Sequence, residues 1–91
     1  MSYSFSITAA TKDEANKKVE EQLGLVASQQ PVHARDRQAA QDAAAAFINM
    51  LVEPGEGECI GVSVNGYLSW RADNEFVGSN IAVSAALKTK G

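Results

Sequence analysis

The sequence predicts an α+β fold, a two-layer sandwich in the order β-α-α-β-β. Two helices cover one face of a three-stranded sheet that ends in a long C-terminal hairpin. Three observations carry this. Residues 2–8 alternate strictly, a capping box opens a stretch of helical periodicity at Thr11, and two alternating runs near the C-terminus match each other in register.

In the first strand Tyr3, Phe5 and Ile7 point one way and Ser2, Ser4, Ser6 and Thr8 the other, the pattern of a half-buried strand. Thr11-Lys12-Asp13-Glu14 follows, a hydroxyl and a carboxylate spaced to satisfy the free amides of a helix start. The apolar stripe of that helix is Ala15, Val19, Leu23 and Val26. Asp13/Lys17, Glu14/Lys18 and Lys17/Glu21 are opposite charges four apart on its wet side. Gly24 weakens it by about 1 kcal/mol relative to alanine, or lets a neighbour come close.

Gln29-Gln30-Pro31 breaks the pattern, and a second helix is expected to begin near 32–36. Its expected stripe is Ala40, Ala43, Ala44, Phe47 and Leu51, and the Ala43–Ala46 run suits close approach to the sheet or the first helix. Glu53-Pro54-Gly55 ends it, and an acidic connector runs through Glu58.

Asn65-Gly66 is a strong local turn signal, but parity argues against a reversal there. A turn at that dipeptide would mix core and surface residues on both faces. A straight strand instead gathers Ile60, Val62, Val64, Gly66, Leu68 and Trp70 on one face, and Gly61, Ser63, Asn65, Tyr67, Ser69 and Arg71 on the other. The turn then falls in Ala72-Asp73-Asn74-Glu75. The register becomes Trp70 opposite Val77, Leu68 opposite Ser79, Gly66 opposite Ile81, Val64 opposite Val83, Val62 opposite Ala85 and Ile60 opposite Leu87. Gly66 leaves room for Ile81, and Trp70 belongs to the core near the tip. The first strand fits beside either hairpin strand.

Residues 1–91 read as one domain with one economical core, since fifteen of the apolar residues are alanines. A net charge of −3 with dispersed Lys and Arg gives no basic stripe for phosphates, so nucleic acid is not the expected partner. One cysteine excludes an intramolecular disulfide and suits a reducing compartment. With neither a basic-then-apolar leader nor a long apolar run, the expected location is the cytoplasm, away from membranes.

Candidates for chemistry are few. His33 and Cys59 would need to meet in space to form a thiol–imidazole pair, and Cys59 falls on the sheet face away from the helices. They are too few for a zinc site, and Glu53, Glu56 and Glu58 lack the spacing of a calcium loop. Gly55-Glu56-Gly57-Glu58 is no phosphate cradle: it leads into a strand, has no lysine and carries carboxylates. Asp73 and Glu75 sit at the expected hairpin tip, and His33-Ala34-Arg35-Asp36-Arg37 reads as a charged helix start with Asp36 at the positive end of the dipole. No catalytic residue, metal ligand or cofactor is assigned.

The informative feature is the second sheet face, with small, neutral side chains on all three strands. Solvated faces usually recruit charge, and its scarcity resembles the centre of an interface. Ser63, Asn65, Tyr67, Ser69, Arg71, Phe76, Asn80 and Ser84 are the candidate partner-binding residues, with Tyr67 as anchor and Phe76 and Arg71 beside it. The expected function is a non-enzymatic interaction module that associates with itself and with a protein partner through this open sheet face and the hairpin tip; a structural virion protein and a ligand-binding oligomer are the alternatives.

The stretches YSFSITAATKDEA, QPVHARDRQAA and SVNGYLSWR resemble small open reading frames of tailed bacteriophages, mostly without assigned function. The resemblance covers most of the chain and implies a phage accessory protein made in a bacterial cytoplasm, either a virion component or an inhibitor of a host system. It supplies no functional residues.

Overall fold

The computed structural model describes the backbone of residues 2–30, 32, 34–70 and 76–89, and the side chains of these residues apart from 68–70 and 76–79. The elements are β1 (Ser2–Ala9), α1 (Lys12–Gln29), α2 (Ala34–Met50), β2 (Glu58–Trp70) and β3 (Phe76–Thr89), the expected β-α-α-β-β order. His33 and residues 71–75, which include Arg71 and the expected turn, lie outside the described residues. So do the side chains of Ser69, Trp70 and Phe76.

The sheet is antiparallel in the order β1-β2-β3. β2 runs unbroken through Asn65-Gly66, as its parity requires, and pairs with β1 from Ser2↔Tyr67 to Ala9↔Ile60. Sequence left the neighbour of β1 open; in the structure β1 takes the free side of β2, which becomes the central strand. The β2–β3 register is the expected one from Ile60↔Leu87 to Leu68↔Ser79. The expected Trp70↔Val77 pair is replaced by Trp70↔Phe76, with a register shift between Ser69 and Trp70.

Thr11 caps α1. Its hydroxyl accepts from the Glu14 amide at 3.1 Å and its carbonyl from Ala15 N at 3.0 Å, while Glu14 pairs with Lys18 at 3.0 Å. Ala15, Val19 and Leu23 are buried and Val26 is partly buried, the expected stripe. α2 runs antiparallel to α1. At one end Lys12 Nζ donates to the Asn49 carbonyl (3.3 Å) and Lys12 N to Glu53 Oε1 (3.1 Å); at the other Gly24 lies close to the Arg37 guanidinium. α2 has no basic residue in its own last turn, so Lys12 supplies the cation that its negative end favours.

Ala40 and Ala44 of the expected stripe are buried, but Ile48 and not Phe47 completes the buried line of α2, Phe47 being 45% exposed. Residues 40, 44 and 48 sit four apart, and this line turns Ala43 and Phe47 toward the flank. Leu51 is partly buried. The connector closes with Glu58 N donating to Gly55 O (3.1 Å) and Gly57 at φ +79°, the left-handed geometry that a type II turn asks of its third residue. The Gly55 amide donates to the Glu58 carboxylate at 2.9 Å, so this segment is a self-satisfied turn.

The core lies between helices and sheet. Ile60, Val62 and Val64 of the central strand are almost fully buried, each stabilising the fold by roughly 1.5–3 kcal/mol. Gly66 does not serve Ile81 as expected. The Tyr3 ring lies across it, where any Cβ would collide with the ring. α1 packs mainly on β1 and α2 mainly on β3. The molecule measures 52 × 20 × 16 Å. Its length comes from β2 and β3: a 13-residue strand spans roughly 43 Å, an 18-residue helix about 27 Å. Past Ser2↔Tyr67 the hairpin backbone continues without β1 beside it.

Candidate functional site: the outer sheet face

The face away from the helices is built by parity alone. Once Ile7, Val62 and Ala85 turn inward, Ser6, Ser63 and Ser84 must turn outward on three adjacent strands. Ser2, Ser4, Ser6, Thr8, Asn65, Tyr67, Asn80, Ala82, Ser84 and Ala86 are exposed there, and Ser63 is half-buried. Ser6 and Ser63 face each other with their hydroxyl oxygens 3.3 Å apart.

Tyr67 is the one large apolar side chain exposed on this face among the described residues, at 54%. It stands in a shallow depression of about 520 Å³ lined by Ser2, Ser4, Asn65, Asn80 and Ala82, with the backbone around Gly66 as its floor. Of the expected binding residues, the structure gathers Asn65, Tyr67 and Asn80 there and sets Ser63 and Ser84 farther along the same face. Ser69, Arg71 and Phe76 fall where side chains are not described.

Sequence reasoning missed Lys88 on this face. Gly61, expected as open surface, is buried under the Lys88 stem, and a Cβ at 61 would come within 2.6 Å of Lys88 Cε. The signal was the Gly61↔Ala86 register, which puts Lys88 diagonally across a residue with no side chain of its own. Among the described residues the face is therefore polar with a lysine at the Lys88 end, and neutral with one exposed aromatic ring at the Tyr67 end.

At the Lys88 end, Cys59, the register partner of Lys88, is a half-buried free thiol beside a second depression of about 430 Å³ shared with Thr8, Glu14, Lys18 and Lys88. Among the described residues no three His, Cys, Asp or Glu side chains gather, and no helix is long and apolar enough to cross a membrane. Tyr3 is a titratable group altered by its setting. Burial, and then the nearby Asp36 carboxylate, push its hydroxyl above the ordinary 10.0. Asp36 Oδ2 is itself buried without a hydrogen-bond partner among the described residues. Comparison with protein-family models, curated proteins and solved structures finds no match for the chain.

Proposed function

We propose that this chain is a non-enzymatic interaction module that docks a protein partner on its outer sheet face, with Tyr67 as the anchor. The supporting observation is the exposure of Tyr67 in a neutral depression with the amides of Asn65 and Asn80 at hand. An aromatic ring with a polar rim is the arrangement that dominates interface energetics, and small serines around it let a partner backbone come close. In the setting implied by the resemblance to phage reading frames, the partner is a host protein and the module an accessory or inhibitor made in the bacterial cytoplasm.

The test is quantitative affinity capture from infected cells with the wild type, Tyr67→Glu and Ser63→Lys. Tyr67→Glu is expected to weaken capture by about 2 kcal/mol, roughly thirtyfold, with an unchanged circular-dichroism spectrum. Equal capture by all three would overturn the assignment of the face. Many copies in purified particles would favour a virion component over an inhibitor, and mass spectrometry of those particles separates the two.

A further inference from the structure

We infer that the free edge of β3, together with the outer flank of α2, pairs with a second copy of this chain about a two-fold axis, making one six-stranded sheet. This deepens the interaction-module reading, on which its self-association rests, and assigns that association to a surface other than the Tyr67 face.

The two sheet edges differ. At the β1 edge three of the four inward side chains, Tyr3, Ile7 and Ala9, are buried and Phe5 is partly buried. Two β1 carbonyls are also taken by side chains of the helical layer, Ser2 O by Nε2 of Gln30 at the C-cap of α1 (3.3 Å) and Thr8 O by Lys18 Nζ (2.7 Å). At the β3 edge the inward side chains Ile81, Val83, Ala85 and Leu87 are all only partly buried. Among the described residues no side chain donates to a β3 carbonyl. The strand has 14 residues and no charge between Phe76 and Leu87. A long, neutral, uncapped edge with apolar groups half covered is a template for another strand.

α2 supplies the second half of the surface. Its α1 side carries Arg37, Gln38 and Gln41, which share a groove with Glu20 and Ala27 of α1. The opposite flank, turned toward the β3 edge, carries Ala39, Ala43, Ala46, Phe47 and Met50 at helical spacing. Phe47 and Met50 are 45% and 80% exposed.

A second copy fits this surface for three reasons. Antiparallel pairing of β3 with itself keeps inward residues facing inward only if the axis passes through a residue. With the axis at Ser84, Val83 meets the second copy's Ala85, Ile81 its Leu87, Ala82 its Ala86 and Asn80 its Lys88, so no like charges oppose one another. α2 runs beside β3, with Asp36 near Tyr3 at one end and Asn49 near Lys12 at the other, which sets Ala43 level with the axis. Alanines there allow two helices to approach at roughly 8 Å, with Phe47 and Met50 closing over the flanks. Finally, about 36 Å of paired edge plus about 25 Å of helix, each roughly 10 Å deep, covers roughly 600 Å² per partner, near the lower end of specific interfaces.

The test is a charge swap read by light scattering over a concentration series. Ser84 is exposed, so Lys or Glu is accommodated in the single chain. The wild type is expected to reach dimer mass. Ser84→Lys and Ser84→Glu alone should stay monomeric, because each meets its own charge across the axis, and an equal mixture should recover the dimer. Ala43→Glu, on the helix flank, should also be monomeric, whereas Tyr67→Glu should dimerise normally. A wild type that stays monomeric, single-charge variants that still dimerise, or a mixture that does not recover would each overturn the inference. Partner capture through Tyr67 survives any of those results, so the two readings fail separately.

Discussion

The two edges of the sheet show how differently one small core can be finished. β1 is short, three of its four inward side chains are buried beneath α1, and Lys18 of that helix and Gln30 at its C-cap hold carbonyls at both ends of the strand. β3 is nearly twice as long, lies under α2, and leaves four apolar residues half covered. Two helices of about 27 and 25 Å cannot roof strands of more than 40 Å, and a flank rich in alanine covers less than one rich in leucine. The economy of large apolar side chains is therefore concentrated at one edge.

Truncations should break this contrast most visibly. Ile7→Ala removes a buried side chain from the closed edge and should cost about 2–5 kcal/mol in urea unfolding, whereas Val83→Ala at the open edge should cost about 1 kcal/mol at concentrations that keep the chain monomeric. Equal losses would mean that the edges are equally packed. Gly66→Ala comes next, at about 1–3 kcal/mol, because its methyl group meets the Tyr3 ring that spans β1 and β2. The same substitution in a Tyr3→Ala background should cost markedly less.

Gln30→Ala should cost about 0.5–1.5 kcal/mol and hasten amide exchange in β1 but not in β3. The smallest effect is one of pH. The Tyr3 hydroxyl is raised above 10.0, so folding favours its neutral form. That contribution is complete below pH 10.0 and is lost as pH climbs through the folded-state value. Tyr3→Phe should flatten the alkaline fall in stability, and an unchanged slope would place the titration elsewhere.

Most of this architecture was legible in the residues. Period-two alternation overrode the Asn65-Gly66 turn signal because a reversal there would have exposed half the core, and the Thr11 cap marked the start of α1 to the residue. What escaped depended on distance in sequence. Nothing local says that β1 lies beside β2, or that the space over Gly66 belongs to Tyr3, since no turn joins those strands. On α2 the lines through Ala43–Phe47 and Ala44–Ile48 are similarly apolar, and only the position of the sheet decides which is buried. The outer face was predictable from the same parity, except for Lys88, whose stem folds over Gly61.

Amide hydrogen exchange followed as protein concentration rises reads both edges in one experiment. The account predicts that the outward-facing amides of β3 between Asn80 and Lys88 become protected as concentration increases, while those of β1 do not change. Exchange in β3 that is independent of concentration, or new protection appearing in β1, would contradict it.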